Sequence, residues 1–417
     1  FTAAQERAIR DLRRDLSAGP PMHRLLQGDV GSGKTAVAAY AMLAAVGHKT
    51  QAALMAPTEI LAEQHARTLS GWLEGSKVRI GLLAGGLSGR PRAELLKRAA
   101  SGDVDVLVGT HALIEGDVRF RSLGLVVIDE QQKFGVVQRA RLGAKGARPH
   151  VLVMTATPIP RTLAHALYGD LDVSVIDELP PGRGPVTTLH APAESRREKL
   201  AFVRRKLDEG RQAYFIYPLV DESDVLELRS AVRMFNELSR DLAPHAVALL
   251  HGRMSPEQKE SAVAAFRDGR ARVLVSTLVV EVGIDVPNAT VMVIDHADRF
   301  GLAQLHQLRG RIGRGPHPSV CIAFGRRNER IDAFVSTTDG FRLAEADLKL
   351  RGPGELEGAR QSGLLFFRAA RLPEDAPLLE AAREDATALV EADPELAAHP
   401  ELRQALEAGP ATLIHVG

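Results

Sequence analysis

The chain has 417 residues, a length that suggests two or three domains. Its residues are 45% hydrophobic and 25% charged, which is typical of a globular protein. The 53 basic side chains nearly balance 52 acidic ones, so the net charge of +1 does not by itself indicate a nucleic-acid partner. Cys321 is the only cysteine, which excludes an intramolecular disulfide and a thiolate metal cluster. The longest apolar run, Ala36 to Val46, is too short to cross a bilayer, so we expect a cytoplasmic protein without a membrane partner.

Five short hydrophobic runs in the first part of the chain have the composition of strands, and helical patterns such as Glu59 to Trp72 separate them. The predicted strands are Leu25–Leu26, Gln51–Ala56, Val104–Gly109, Leu123–Asp129 and Val151–Thr155. Strands rich in Val, Leu and Ile that alternate with helices favour a parallel sheet covered on both faces. The sequence therefore predicts a first α/β domain.

The segment Leu179 to Pro185 contains three prolines and two glycines, a composition typical of a linker. Beyond it the alternation of strands and helices begins again. The predicted strands of this second part are Gln212–Tyr217, Val247–Leu250, Val273–Ser276, Thr290–Ile294 and Val320–Phe324. One helix has a clear predicted start, because Ser255, Pro256 and Gln258 form the pattern of a capping box.

After about Asp339 helical patterns dominate, for example Asp375 to Glu391. The sequence thus predicts an α/β fold with two tandem domains, residues 1–180 and 181–338. A mainly helical segment, residues 339–417, follows them.

The residues Gly28 to Thr35 match the P-loop pattern G-x-x-x-x-G-K-[ST] without a mismatch. In this pattern backbone N–H groups turn towards the α- and β-phosphates, the lysine reaches the β/γ-phosphates, and the final hydroxyl ligates Mg²⁺. A preceding strand and a following helix place the phosphates at a helix N-terminus, whereas a glycine-rich turn without a ligand needs neither. We therefore predict a nucleotide site that contains Gly28, Gly31, Ser32, Gly33, Lys34 and Thr35.

A hydrophobic strand pattern that begins at Leu123 ends in two carboxylates, Asp129 and Glu130. The first acid at such a strand end can hold Mg²⁺ beside a P-loop, and the second can deprotonate the attacking water. Solvated acids at a strand end are the alternative. Because a complete P-loop lies upstream, we predict that this pair completes an ATPase site.

The glycine-rich segment Gln304 to Gly315 carries Arg311 and Arg314 in the second predicted domain. Arginines at this place can cross an interdomain cleft and neutralise charge on the γ-phosphate, a contribution of about 10³–10⁵ in rate in known NTPases. The alternative is a solvated basic surface. We favour the catalytic interpretation, because the two arginines are separated by Ile-Gly and flanked by glycines.

Met154-Thr155-Ala156-Thr157-Pro158 ends a predicted strand close to where the two acids are expected. Its hydroxyls can hydrogen-bond the acids and so connect nucleotide state to domain position, whereas an ordinary threonine-rich strand end would have no such role. The histidines are scattered and show no metal-ligand spacing.

Taken together, these motifs resemble those of superfamily 2 helicases, whose motor consists of two RecA-like domains. Further segments of this chain match the same family in the expected order. They are Gln5, Pro57–Glu59, Gly109–His111, Asp129–Gln132, Ser276–Thr277, Gly283–Asp285 and Gln307–Arg314.

Within that superfamily the chain resembles the RecG family of bacterial branch-migration helicases over essentially its whole length. The segments that carry this narrower resemblance are Arg24–Thr35, Lys133–Val136, Asp347–Glu355 and Gln361–Gly363. The last two look like the translocation motif that RecG shares with the transcription-repair coupling translocase Mfd. The chain begins at Phe1 rather than methionine, and we expect it to be the motor portion of a longer protein, without the N-terminal wedge domain of the family.

The resemblance implies an ATP- and Mg²⁺-dependent, DNA-stimulated ATPase that translocates on duplex DNA and acts on stalled forks and Holliday junctions in recombination and repair. It also implies a monomer associated with the nucleoid, with single-stranded DNA-binding protein as a further partner.

The same resemblance assigns roles to individual residues. Lys34, Asp129, Glu130, Gln132, Arg311 and Arg314 would be catalytic; Gln5, Gly283 and Asp285 would join the P-loop in nucleotide binding; and Thr58, Thr110, His111, Thr277, Arg330, Arg351 and Gln361 would contact DNA or transmit movement. One departure from the family lies in the acidic box, where Gln132-Lys133 replaces the usual His-Arg. Since glutamine cannot become charged and lysine lacks the bidentate fork of arginine, we expect altered coupling between the domains but retained hydrolysis.

Two alternatives remain. An Mfd-like translocase would need an RNA-polymerase-binding module, which the sequence does not reveal. An ATP-gated DNA clamp would bind DNA in a nucleotide-dependent manner without moving along it.

Overall fold

The computed structural model describes residues 1–130, 142, 145–146, 148–156, 171–218, 224–277, 286–351 and 375–407. The predicted site residues Gln132, Gly283, Asp285 and Gln361 lie outside these ranges, and Arg351 is described by its backbone only.

A parallel sheet forms the centre of the first domain. Its seven strands have the spatial order β3-β4-β2-β5-β6-β1-β7. In chain order they are β1 (His23–Gly28), β2 (Gln51–Met55), β3 (Ile80–Leu83), β4 (Val106–Gly109), β5 (Leu123–Ile128), β6 (His150–Thr155) and β7 (Asp172–Ile176). The central strands are buried along nearly their whole length because helices cover both faces, and this explains their continuous hydrophobic sequence.

Four helices accompany this sheet among the described residues. They are α1 (Ala3–Ser17), α2 (Lys34–Gly47), α3 (Glu59–Trp72) and α4 (Gly89–Ser101). A capping box starts α1: the Thr2 side chain accepts from the Gln5 N–H while the Gln5 side chain accepts from the Thr2 N–H. This cap fixes the position of Gln5, which reaches the P-loop.

The second domain contains a parallel sheet of six strands in the order β10-β11-β9-β12-β13-β8. The strands are β8 (Val186–Ala191), β9 (Gln212–Ile216), β10 (Val247–Leu250), β11 (Val273–Ser276), β12 (Ala289–Ile294) and β13 (Ser319–Phe324). The described helices are α5 (Arg196–Asp208), α6 (Asp224–Asp241), α7 (Pro256–Arg267) and α8 (Leu302–Arg309). The predicted capping box at Ser255 and Gln258 is confirmed at the start of α7.

The predicted pair of parallel α/β domains is confirmed, but the sequence missed three strands, β3, β7 and β8. All three lie at the edge of a sheet. An edge strand is covered less completely, and polar residues interrupt the hydrophobic runs of β7 (DVSVI) and β8 (VTTLHA). Strand β3, with the sequence IGLL, is only four residues long and contains a glycine.

The remaining chain is helical where the structure describes it, as predicted. The helices are α9 (Glu329–Ser336), α10 (Gly340–Arg351), α11 (Ala376–Ala392) and α12 (Pro400–Glu407). The first two pack on α8, whose C-terminal end leads into the segment with Arg311 and Arg314. Helix α11 returns to the first domain, where Arg383 Nη2 donates to the Leu171 carbonyl over 3.4 Å.

Candidate functional site: a P-loop facing an arginine-bearing turn

The strand order of the first sheet brings the P-loop and the two acids to one edge. Strands β1 and β5 both pair with β6, and all three run in the same direction. The P-loop follows β1 and Asp129 follows β5, so both emerge at the carboxyl edge of the sheet, one strand apart. Thr155, buried at the end of β6, lies between them. The sequence predicted this juxtaposition, and the sheet produces it.

The loop between β1 and α2 has the backbone of a phosphate cradle. Gly31 and Gly33 have φ angles of +74° and +87°, which side chains other than glycine rarely adopt. A Cβ on Gly33 would also lie 2.2 Å from Gln5 Nε2. Gln5 is buried and donates from this nitrogen to the Ser32 carbonyl over 2.8 Å. The capped helix α1 therefore supports the loop from outside.

Lys34, the first residue of α2, points back into the loop. Its Nζ donates to the carbonyls of Gly28 and Asp29 at 2.8 and 2.9 Å. Burial lowers the pKa of Lys34, and the negative charges of Glu130 and Asp129 oppose this shift. Thr35 follows as the second, half-buried residue of the helix. The ammonium group is thus held among the acids at a helix N-terminus.

Asp129 is buried and is held by a partner that the sequence did not reveal. His65 of α3 places Nε2 2.8 Å from Asp129 Oδ2, and the Glu130 N–H donates to Oδ1 over 3.1 Å. Burial raises the pKa of Asp129, but the hydrogen bond and charge of His65 and the charge of Lys34 outweigh it, and the net pKa is lowered. Glu130 adopts a φ of +53°, a strained conformation for glutamate.

These residues fit a nucleotide with Mg²⁺. The Ser32 hydroxyl is buried inside the loop and has no hydrogen-bond partner among the described residues. An ionised carboxylate and a hydroxyl at the helix start provide the oxygen ligands that Mg²⁺ prefers. Backbone N–H groups at a helix N-terminus donate to phosphate oxygens.

The second domain brings its arginine-bearing turn against the same loop. Gly310 approaches so closely that a Cβ on it would lie 2.5 Å from the Val30 Cβ. Arg311 is buried, and Arg314 Nε donates to the Gly310 carbonyl over 3.2 Å. The positive charge of Arg314 also contributes to lowering the pKa of Lys34, after the larger effect of burial, so the two cations lie within electrostatic range. The structure thus brings together the predicted P-loop and the predicted arginines.

A second contact between the domains was not predicted from the sequence. His306 Nε2 of α8 lies 2.5 Å from Asp29 Oδ1 in the P-loop. Arg309 Nη2 lies 3.2 Å from His306 Nδ1; since a guanidinium can only donate, Nδ1 accepts and Nε2 carries the proton given to Asp29. Burial raises the pKa of Asp29, but the hydrogen bond from His306, with the Val30 N–H and the positive charge of Lys34, lowers it on balance. The available sequence clue was that His306 directly precedes Gln307 of the predicted motif.

Buried Arg309 extends this contact to the helices after the second sheet. Its Nη1 donates to the carbonyls of Phe334 and Thr337, each at 2.8 Å, at the end of α9. The guanidinium also stacks over the Phe334 ring, with its central carbon 4.6 Å from the ring centroid. A continuous series of hydrogen bonds therefore joins the P-loop to the C-terminal end of α9.

Five of the residues predicted to contact DNA or transmit movement are described with their side chains. Thr58 caps α3 by accepting from the Leu61 N–H over 3.5 Å, and buried Thr110 is followed by exposed His111 after β4. Thr277 follows β11, and its buried hydroxyl has no hydrogen-bond partner within the described ranges. Arg330 of α9 donates to the Phe300 carbonyl over 3.4 Å.

Across the described residues, no helix combines the length and the apolar composition that crossing a bilayer requires.

Three family models match successive parts of the chain. Residues 2–166 match the DEAD/DEAH box helicase model, residues 198–316 the helicase conserved C-terminal domain, and residues 337–406 the C-terminal part of domain 3 of the ATP-dependent DNA helicase RecG.

Curated relatives named ATP-dependent DNA helicase RecG are similar to nearly the whole chain. The protein from Synechocystis is 50% identical over 97% of this chain, and that from Bacillus subtilis is 50% identical over 94%. These alignments cover 49% and 58% of the respective relatives, so the chain spans about half the length of the curated relatives it matches.

A solved structure described as RecG bound to a three-way DNA junction superimposes with a TM-score of 0.74 at 45% identity, covering 91% of this chain and 50% of that one. The Mycobacterium smegmatis helicase Lhr, at 18% identity and a TM-score of 0.58, covering 92% of this chain and 53% of that one, shows the fold alone.

Two parallel α/β domains, with a P-loop in the first and arginines from the second against it, define the class of two-domain helicase motors. The chain belongs to the RecG family and corresponds to its helicase portion.

Proposed function

We propose that this chain is an ATP-hydrolysing translocase that moves on double-stranded DNA and acts on branched DNA such as stalled forks and Holliday junctions. The observation that carries the proposal is the meeting of the P-loop with the arginine-bearing turn, through the Gly310–Val30 approach and the Asp29–His306 contact. A site assembled from both domains ties the chemistry to their relative position, which a motor needs. The names of the RecG relatives and of the junction-bound structure support DNA as the partner.

In this proposal the P-loop holds the phosphates. The backbone of Gly28, Gly31, Ser32 and Gly33 would cradle them, Lys34 would exchange its carbonyl partners for the β/γ-phosphates, and Gln5 would support the loop. Thr35 and Asp129 would hold Mg²⁺. When bound, the ion would neutralise negative charge on the phosphate oxygens.

Glu130 would orient the attacking water and accept its proton. Its strained backbone lies one residue beyond the carboxylate fixed by His65, and such strain is concentrated at functional sites. Arg311 and Arg314 would stabilise the charge on the transferring phosphoryl group from the second domain. We also propose Gln132, Gly283 and Asp285 as site residues on the resemblance of their motifs.

Movement would follow from closing and opening of this cleft. Thr58, Thr110, His111 and Thr277 would grip the DNA backbone without reading its sequence. Arg330, Arg351 and Gln361 would convert the closure into displacement of the DNA. The hydrogen-bonded path from Asp29 through His306 and Arg309 to α9 supports a mechanical connection to these helices.

We further propose that residues 1–180 and 181–338 form the two motor domains and residues 339–417 the translocation segment. The protein would act as a monomer at the nucleoid, with single-stranded DNA-binding protein as a further partner.

A DNA clamp that binds without moving is the second candidate, because the chain spans only about half the length of the relatives it matches. An Mfd-like translocase is less favoured, since the matched model of residues 337–406 is that of RecG.

The experiment is steady-state ATP hydrolysis without DNA and with single-stranded DNA, linear duplex and a four-way junction at matched salt, alongside a triplex-displacement assay. We expect duplex and junction both to stimulate hydrolysis and the triplex to be displaced. Stimulation without displacement would support the clamp. Hydrolysis that no DNA stimulates would contradict the proposed motor.

A further inference from the structure

One side chain of the interdomain connection contacts both halves of the site. Arg183 lies in the connection between β7 and β8 and is half-buried. Its Nη1 donates to the Val30 carbonyl of the P-loop over 2.8 Å, and its Nε donates to the Gly313 carbonyl over 3.2 Å. Gly313 lies between Arg311 and Arg314, so a single guanidinium joins the phosphate cradle to the arginine-bearing turn.

On the P-loop side this contact fixes a peptide plane. The carbonyl of Val30 and the N–H of Gly31 belong to one planar trans peptide and point in opposite directions. A donor on the Val30 carbonyl therefore holds the Gly31 N–H facing away from Arg183. The guanidinium also packs on the loop, since a Cβ on Gly31 would lie 2.7 Å from Arg183 Nη1. Arg183 thus determines where one N–H of the predicted cradle points.

On the other side the connection anchors the arginine-bearing turn. Gly313 has a φ of +70°, and a Cβ on it would lie 2.4 Å from Val186 Cγ2. The Gly184 N–H donates to the Gly315 carbonyl over 2.7 Å, next to the bond from Arg183 Nε. The same planarity makes the Gly313 carbonyl fix the N–H of Arg314. The orientation of the turn therefore depends on the linker.

We propose that Arg183 is a positioning residue that holds the Val30–Gly31 peptide and the turn with Arg311 and Arg314 at a fixed separation. A guanidinium suits this task, because its donors project from one rigid plane, whereas a lysine ammonium is a single point on a flexible stem. The inference rests on the proposed function, in which Arg314 stabilises the transferring phosphoryl group.

The test is Arg183→Lys in the full 417-residue chain, assayed for DNA-stimulated ATP hydrolysis and for binding of a fluorescent ADP. Because misplacement of catalytic groups by about 1 Å can cost about 10²-fold in rate, we expect kcat to fall by about 10- to 100-fold. ADP has no γ-phosphate for the arginine-bearing turn to contact, so it should lose affinity only through the single Gly31 N–H of the cradle, and its remaining binding shows that the P-loop is folded. Arg183→Gln repeats the measurement with a different stem, should the lysine variant fold poorly.

Arg7→Lys is the matched control. Arg7 ion-pairs with Asp177 beside the same connection at an exposed position, and within the described part of the chain it contacts neither the P-loop nor the arginine-bearing turn. The kcat of Arg7→Lys should therefore stay within about twofold of wild type. Unchanged kcat in both Arg183 variants would overturn the inference.

A double variant separates positioning from general stability. If Arg183 acts through the turn, Arg183→Lys should slow the Arg314→Lys variant by a smaller factor than it slows the wild type, because part of its effect is exerted through Arg314 and the losses are not additive. Losses that multiply would overturn positioning. Wild-type turnover by Arg314→Lys would instead overturn the arginine assignment of the proposed function, while the effect of Arg183→Lys on its own would still test whether the linker arginine matters.

Discussion

Removal of the His306 side chain tests the contact between the P-loop and the second domain. The bond from His306 Nε2 to Asp29 Oδ1 measures 2.5 Å, and the two side chains are 5% and 21% exposed, so water competes little for it. The lowered pKa of Asp29, set by His306 against the opposing effect of burial, keeps the carboxylate ionised at neutral pH. A hydrogen bond to a charged group contributes about 1.5–3 kcal/mol, which corresponds to about 10- to 150-fold in an equilibrium constant.

Because Asp29 and His306 belong to different domains, His306→Ala should destabilise the arrangement in which the two domains are in contact by about this free energy. If hydrolysis requires that arrangement, kcat/KM for ATP falls by up to the same factor. Asp29→Asn retains a neutral acceptor and should cost less, about 0.5–1.5 kcal/mol. Both variants are measured by steady-state hydrolysis with duplex DNA at fixed salt.

The double variant decides whether loss of the direct contact causes the fall in kcat/KM. His306→Ala also removes an acceptor from Arg309, and a cycle with Asp29→Asn subtracts that separate effect. We expect a coupling free energy of about 0.5–1.5 kcal/mol, equal to the loss caused by Asp29→Asn alone, because that change has no bond left to weaken once His306 is removed. Additive losses, with a coupling below about 0.5 kcal/mol, would refute the argument that this bond joins the domains.

Lys34→Ala should abolish hydrolysis and leave most of the DNA affinity, as measured by turnover and fluorescence anisotropy; retained turnover would contradict the assignment of the site. Arg351→Ala should keep DNA-stimulated hydrolysis and lose triplex displacement, whereas a parallel loss of both would indicate a structural role. Gly33→Ala should weaken nucleotide binding by about 5- to 150-fold, because its φ of +87° and its lack of space add strain of about 1–3 kcal/mol, while Gly19→Ala, with no atom within 4 Å, should bind normally. The lowered pKa of Asp129 predicts a contribution to the free energy of unfolding that is present above about pH 4 and lost as the pH falls through the folded-state pKa. Measured by urea unfolding, the free energies of wild type and Asp129→Asn should therefore become more similar as the pH falls. A difference that stays constant with pH would contradict this prediction.

The local pattern of the chain was sufficient for much of the fold. Central strands such as β5 and β12 were predictable because burial on both faces demands a continuous hydrophobic run. The edge strands β7 and β8 were not, because their place at the edge, and hence their tolerance of polar residues, depends on how the sheet is assembled. Strand β3 gave a weak pattern because it has only four residues, one of them glycine. The capping box at Ser255 was predictable, since the residues that form it lie within four consecutive positions.

The sequence by itself determined the chemistry of each half of the site: the P-loop backbone, the lysine, the acids at a strand end and the arginines on a glycine-rich turn. Each of these motifs is local: the backbone conformation that it requires limits which residue types can occupy a few neighbouring positions. Only the tertiary structure decided the partners, because His65 is 64 residues from Asp129, Arg183 is 153 from Val30, and His306 is 277 from Asp29. Side chains so far apart meet only where sheet order and interdomain packing bring them, and a histidine or arginine considered alone does not indicate which carboxylate or carbonyl it will face.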